Sequence, residues 1–105
     1  MTTLHVRRIG IGPPIVLVHA GFVDQQLWSA AQLALSAAYD VVTYDVRGAG
    51  RSPRDPVDHA PCDDLVALLD ELHLDRVAIV GLSMGARIGL EVAATRPERV
   101  RALVL

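Results

Sequence analysis

The sequence predicts an α/β fold in which a mostly parallel sheet carries helices on both of its faces. Short apolar runs without polar alternation, such as residues 15–18 and 77–80, are typical of strands buried on both sides. Segments with the helical spacing of apolar residues separate these runs from residue 15 onward. Because strand and helix alternate, we expect right-handed βαβ crossovers within a single domain of 105 residues at most.

The elements follow one another in a regular order. An alternating edge strand is predicted at 4–8, and a turn rich in glycine and proline follows it. Buried strands are predicted at 15–18, 41–44 and 77–80, and a further strand begins at 102. Helices are predicted at 24–38, 63–73 and 84–96. In the first helix, Leu27, Ala31 and Leu35 share a helical face, and a polar loop containing Pro56 precedes the second.

Composition and charge narrow the classes of partner. The formal net charge is −2, which gives no electrostatic reason to bind nucleic acid or acidic membranes. Mean hydropathy is +0.34, yet no run approaches the roughly 18 apolar residues of a membrane span. The first ten residues lack the apolar stretch of an export signal, and the single cysteine cannot form an internal disulfide. We therefore expect a cytoplasmic protein; composition leaves its oligomeric state open.

The turn between the strand at 77–80 and the following helix has the pattern G-x-S-x-G. Gly81 lets the chain leave the strand sharply, and Gly85 removes a Cβ where the helix passes a neighbouring strand. Ser83 then lies at the tip of the turn, with its hydroxyl exposed and its backbone in a strained region. The pattern indicates a nucleophilic serine, and the alternative is a glycine-rich turn without chemistry.

Over its whole length the chain resembles the α/β-hydrolase superfamily. The resemblance is carried by HAGF at 19–22, DVRGAGRS at 45–52 and GLSMG at 81–85. It is similar to small esterases, enol-lactonases and haloperoxidases that use no cofactor. This implies that Ser83 attacks a carboxylic ester, lactone or thioester and forms an acyl-enzyme, with a small ester-like molecule as substrate and neither metal nor cofactor.

The resemblance also implies which groups bind the oxyanion, the negatively charged oxygen that forms on the substrate carbonyl when the serine attacks. One donor is the backbone NH of Met84, at the start of the helix that follows Ser83. The second comes from the loop after the strand at 15–18, where this chain has alanine in place of the usual glycine. That donor is Gly21, or Phe22 if the register differs by one residue. His19 is expected to orient this loop.

Asp45 and Arg47 belong to the second motif, and the resemblance gives them a structural role beneath the site. Asp45 is expected either to pair with Arg47 or to cap a turn. The residues at 48–50 lack the third glycine of a dinucleotide-binding loop, so a nucleotide cofactor is not expected.

The catalytic histidine of the family is missing after Ser83. The family order along the chain is serine, acid, histidine, but only Glu91 and Glu98 follow Ser83, and no histidine does. We therefore expect residues 1–105 to be the N-terminal portion of a single α/β-hydrolase domain, truncated after the strand that follows the nucleophile helix. Alone, this chain would be inactive. The alternatives are a non-catalytic binding or scaffold protein of the same fold, or an inactive fragment.

A triad within the chain is a further possibility. His19, Asp45 and Ser83 each follow a predicted strand, and the carboxyl ends of parallel strands meet at one edge of a sheet. The triad would require a His19 nitrogen to contact the Ser83 hydroxyl and the other nitrogen to contact Asp45.

Overall fold

The computed structural model describes residues 4–54 and 59–105. Its strands are β1 (Val6–Ile9), β2 (Pro14–Val18), β3 (Asp40–Tyr44), β4 (Val77–Gly81) and β5 (Val100–Val104). Its helices are α1 (Ser29–Leu35), α2 (Pro61–Glu71) and α3 (Met84–Thr95), with short 3₁₀ turns at Gln25–Trp28 and Pro97–Arg99. The five strands form one sheet in the order β1-β3-β2-β4-β5. The predicted α/β fold is confirmed.

Strand β2 lies at the centre of the sheet. It pairs in parallel with β3, where Val16 lies opposite Val42, and with β4, where Val16 lies opposite Ile79. Strand β5 adds a further parallel pair next to β4, and β1 is an antiparallel edge strand beside β3. The sheet is therefore mostly parallel, as the unbroken apolar runs predict.

The core occupies both faces of the sheet. On one face, Val16 and Val18 of β2 pack in a cluster that includes Leu65 and Leu69 of α2 and Ile88 of α3. On the other face, the buried side chains are Ile15, Leu17 and Val41, and partly buried residues such as Trp28 and Leu35 cover them. Successive residues of β2 thus point to opposite layers, which explains why the strand has no polar alternation.

The segment predicted as one helix at 24–38 differs from that prediction. It consists of a 3₁₀ turn, which Asp24 caps by accepting a hydrogen bond from the Gln26 NH, and the seven-residue helix α1. Its buried residues are Gln25 and Gln32, whereas Leu27 is 45 % exposed. The predicted apolar face was therefore wrong in part. The physical reason is a network of buried polar partners for the two glutamines.

Thr43 of β3 is the centre of that network. Its hydroxyl is 2.7 Å from Gln25 Oε1 and 3.2 Å from Gln32 Oε1. The Gln32 amide donates to the carbonyl oxygens of Arg7 and Val41, both at 3.0 Å. Because each buried amide finds partners, the glutamines can replace apolar residues on the covered face.

Other boundaries differ by only a few residues. Helix α2 begins at Pro61, because proline is well suited to the first helical position. The last strand begins at Val100, directly after the 3₁₀ turn that follows α3. Pro56, predicted to lie in the loop before α2, is outside the described residues. Within the described ranges, none of the helices combines the length and the hydropathy that crossing a bilayer requires.

Candidate active site

Ser83 lies on a tight turn at the carboxyl edge of the sheet. Strand β4 ends at Gly81 and helix α3 begins at Met84, so Leu82 and Ser83 make the whole connection. Ser83 has φ 55° and ψ −112°, a backbone conformation that residues with a Cβ rarely adopt, and it is exposed. The amide of Leu82 donates to the carbonyl oxygen of Val18, 3.2 Å away, which ties the turn to β2.

Two glycines make this turn possible. A Cβ on Gly81 would lie 2.5 Å from the carbonyl carbon of Gly85. A Cβ on Gly85 would lie 2.6 Å from the carbonyl carbon of Val18 and 2.8 Å from the His19 oxygen. These neighbours are backbone atoms, of the first turn of α3 for Gly81 and of the end of β2 and its loop for Gly85, which cannot yield as a side chain would. The G-x-S-x-G pattern is therefore the sequence that lets α3 pack closely over the end of β2.

Ser83 opens onto a groove of about 650 Å³. The groove is lined by Gly21, Phe22, Ser83, Met84 and Arg87. The loop after β2 thus forms part of the wall near the serine, while the first turn of α3 forms another. Phe22 has φ 65°, which is strained for a bulky side chain, and its ring is fully exposed. The structure brings four sequence-predicted site residues, Gly21, Phe22, Ser83 and Met84, to one cavity.

Met84 is the first residue of α3. A backbone NH at this position has no acceptor within its own helix, and the helix dipole favours negative charge beside it. Gly21 and Phe22 lie with Met84 along the same groove. This arrangement is suited to holding a negative oxygen between the two loops.

His19 does not contact Ser83. Its ring is fully buried, its Nε2 accepts a hydrogen bond from the Val46 NH at 2.9 Å, and its Nδ1 is 2.7 Å from the carbonyl oxygen of Ala20. Since Nε2 accepts a hydrogen bond, Nδ1 carries the ring proton and donates a hydrogen bond to the Ala20 carbonyl oxygen. Both nitrogens are engaged, so the triad of His19, Asp45 and Ser83 considered from the sequence is wrong.

Asp45 caps two loops. Its carboxylate, 2 % exposed as a residue, accepts hydrogen bonds at 2.9 Å from the backbone NH groups of Gln25 and Arg51. Burial alone would raise the pKa of Asp45, but the NH donors of Gln25 and Arg51 outweigh it and lower the pKa below its usual value. Gly50, at φ 49°, leaves the space that this carboxylate fills. Of the two predicted alternatives, capping is the one observed.

Arg47 pairs with Asp64 of α2. Its Nε and Nη2 donate to the two carboxylate oxygens, both at 2.9 Å, and both side chains are largely buried. The pair fastens the loop after β3 to the helix that covers one face of the sheet. Sequence reasoning missed Asp64 as the partner, although an acidic residue in the first turn of a helix was a signal for such a contact.

The two glutamates after Ser83 lie away from its hydroxyl. Glu91 is two turns along α3, where its carboxylate is 3.5 Å from the guanidinium of Arg87. Glu98 is in the exposed 3₁₀ turn that precedes β5, at the amino end of that strand. Neither is placed to orient a base at Ser83. Across residues 4–54 and 59–105, no three His, Cys, Asp or Glu side chains are grouped as metal ligands.

Arg87 is a groove residue that sequence reasoning did not single out. The only signal was its spacing of four from Ser83, which places the two residues on one side of α3.

The mostly parallel sheet and the strand-turn-helix that presents Ser83 together define the hydrolase class of α/β folds. The family model described as "alpha/beta hydrolase fold" matches residues 13–105. The chain belongs to the α/β hydrolase family.

Three relatives illustrate the similarity. A RutD protein of Klebsiella pneumoniae, named for carbamate hydrolysis, is 38 % identical over 99 residues, covering 90 % of this chain and 37 % of the relative. Epoxide hydrolase 2 of Siraitia grosvenorii is 38 % identical over 108 residues, covering 96 % and 34 %. The solved enol-lactonase of Burkholderia xenovorans has a TM-score of 0.86 at 33 % identity, covering 95 % and 41 %. The chain thus spans well under half the length of each.

Proposed function

We propose that the full-length protein containing this chain is a serine hydrolase of carboxylic esters, lactones or thioesters. Ser83 attacks the carbonyl carbon, and its oxygen becomes bonded to the acyl group while the alcohol or thiol leaves. Water then hydrolyses the acyl-enzyme and releases the acid. The substrate is a small ester-like molecule, because the groove of about 650 Å³ is of the size that holds one.

The observation that carries this proposal is the conformation of Ser83. An exposed serine at φ 55° is held there by the close packing of Gly81 and Gly85. Strained backbone at a non-glycine residue persists only where the surroundings impose it, and such sites cluster where chemistry occurs. A turn needed only for packing would not require a serine at its tip.

The oxyanion is held by the NH of Met84 together with that of Gly21 or Phe22. All of these residues line the groove beside Ser83. The positive φ of Phe22 favours it as the second donor, because strained backbone at a non-glycine residue is concentrated at functional sites. Losing one such donor typically lowers kcat by about 10²- to 10³-fold.

A serine nucleophile favours acyl substrates over epoxides, although one relative carries the name epoxide hydrolase. Attack of a serine oxygen on an epoxide carbon would leave an ether, which water does not readily cleave. Attack on a carbonyl leaves an ester that water can hydrolyse, so the enzyme is regenerated. The chemistry of Ser83 therefore selects carboxylic acid derivatives.

The base and the acid that orients it belong to the part of the protein beyond this chain. No histidine follows Ser83, and His19 is engaged with Val46 and Ala20. We propose that residues 1–105 are the N-terminal portion of one domain, and that they alone show no ordinary esterase turnover.

Labelling with a fluorophosphonate probe tests the proposal, because the probe reacts only with an activated serine. We expect the full-length protein to be labelled at Ser83 and to hydrolyse 4-nitrophenyl acetate. Ser83→Ala should abolish labelling and lower turnover by roughly 10⁴-fold or more. Ser29→Ala, which changes an exposed serine at the start of α1, is the matched control and should retain both activities.

Folded full-length protein that neither takes the label nor turns over any acyl ester would refute the proposal and favour a binding or scaffold role. Activity that survives Ser83→Ala would refute it as well.

A further inference from the structure

We propose that Arg87 determines specificity at this site and selects substrates that carry a carboxylate besides the bond to be cleaved. This inference rests on the proposed function, because it concerns the substrate class of the Ser83 groove. Among the described residues that line the groove, Arg87 has the one charged side chain. The other lining residues are Gly21, Phe22, Ser83 and Met84. The guanidinium of Arg87 is therefore a single positive charge in a groove whose remaining wall is uncharged and largely apolar.

Position on the helix directs Arg87 towards the substrate. It lies four residues after Ser83, about 6 Å along the helix axis and on the same side of α3. Helical side chains tilt towards the amino end of their helix, so the arginine leans back towards the serine. Its backbone NH is fixed by a 3.1 Å hydrogen bond to the Ser83 carbonyl oxygen. The backbones of the two residues therefore keep a constant separation, and the arginine side chain reaches out from a fixed point beside the nucleophile.

Helix stability does not explain an arginine here. A cation near the amino end of a helix is opposed by the helix dipole. The pair it makes with Glu91 has the arginine on the amino-terminal side, which is the weaker of the two orders for an i, i+4 ion pair. The arginine is thus placed where the helix dipole disfavours a cation and favours an incoming anion.

The contact with Glu91 leaves the guanidinium free to bind. The two groups are 3.5 Å apart, and the Arg87 side chain is 82 % exposed. A planar guanidinium offers five donors and binds a carboxylate through two parallel hydrogen bonds. The apolar side chains of Met84 and Phe22 lie along the same groove and are available to contact the rest of the substrate.

Matched esters test the inference in the full-length protein. One pair is 4-nitrophenyl hexanoate and the mono-4-nitrophenyl ester of adipic acid, which differ by a terminal carboxylate on the acyl group. A second pair, phenyl acetate and 3-acetoxybenzoate, places the carboxylate on the leaving group. We expect at least one pair to show a kcat/KM preference of roughly threefold to fivefold for the anionic ester, mostly through KM. The preference should decrease as salt is raised, because the charges are partly exposed.

Variants separate charge recognition from general damage. Arg87→Gln should abolish the preference by raising KM for the anionic ester, whereas Arg87→Lys should keep part of it. Glu91→Gln removes the competing carboxylate and should increase the preference. Arg96→Gln removes the same charge from the far end of α3, where the residue is exposed, and should change nothing.

The outcomes distinguish this inference from the proposed function. Hydrolysis that depends on Ser83 but shows no preference in either pair, or a preference that Arg87→Gln leaves unchanged, would overturn the role of Arg87 alone. Hydrolysis that survives Ser83→Ala would overturn the proposed function first.

Discussion

Replacing His19 by leucine separates a structural from a catalytic role for the buried histidine. The ring joins two loops, since its Nε2 accepts from the Val46 NH and its Nδ1–H donates to the Ala20 carbonyl oxygen. Leucine has a similar volume but can make neither bond. We therefore expect the substitution to destabilise the protein while leaving Ser83 reactive.

The magnitude follows from the two bonds and from burial. Val46 is 7 % exposed, so its NH would lose its partner with little access to water, at about 1–3 kcal/mol. The lost bond to Ala20, a half-buried residue, adds about 0.5–1.5 kcal/mol. Burying leucine in place of a polar ring offsets about 1 kcal/mol. We expect the free energy of unfolding to fall by about 0.5–3.5 kcal/mol.

Urea denaturation of the full-length protein measures this loss, and fluorophosphonate labelling of the folded variant measures the reactivity of Ser83. The matched control is His73→Asn, because His73 is exposed at φ 56°, a conformation that asparagine tolerates well. That control should stay within about 0.5 kcal/mol of the parent. A His19→Leu protein of unchanged stability that no longer takes the label would refute the reasoning, since it would make His19 the base for Ser83.

Two further predictions concern the glycine and the aspartate beneath the site. Gly85→Ala should cost about 3 kcal/mol or more, because its Cβ meets the backbone of Val18 and His19. Gly89→Ala meets side chains instead, with Ile79 Cγ2 at 2.9 Å and Leu103 Cδ1 at 3.0 Å, so repacking and the helix preference of alanine should keep its cost to about 1–2 kcal/mol. Equal losses in urea titrations would contradict this. For Asp45, the folded pKa lies below the ordinary 3.8, so its charged form stabilises the protein above that pH, and this contribution is lost as pH falls through the folded pKa. The stability difference between the parent and Asp45→Asn should therefore shrink in urea series run from pH 7 towards pH 3, and a constant difference would argue against the cap.

The sequence was sufficient for the fold because its signals are local. Strand β2 is buried on both faces, and a run such as Ile15 to Val18 has no other stable environment. The strand-turn-helix around Ser83 was equally predictable, because both of its glycines are required by close backbone contacts. Gly81 contacts the backbone a few residues after the serine, and Gly85 contacts the end of β2.

Features that depend on distant partners could not be predicted in the same way. Gln25 and Gln32 are buried beside Thr43, which is more than ten residues away and whose hydroxyl lies within hydrogen-bond distance of both amide oxygens, and no periodicity of apolar residues reveals that. The partner of Arg47 is Asp64, across a loop, although Asp45 is nearer in the chain. Arg87 lines the groove only because the loop after β2 supplies another part of the wall.

The geometry around Ser83 also explains why the central strand controls the site. The loop after β2 carries Gly21 and Phe22, and the end of the same strand is in contact with Gly85 of α3. His19 fastens that loop to Val46. The positions of Ser83 and of the proposed second NH donor, Gly21 or Phe22, are therefore both fixed by strand β2. Fixed donors stabilise a developing oxyanion without reorganising during the reaction. If the proposed acyl transfer is correct, this chain preorganises the nucleophile and the oxyanion donors, and the proton-transfer groups need only be brought to the exposed side of Ser83.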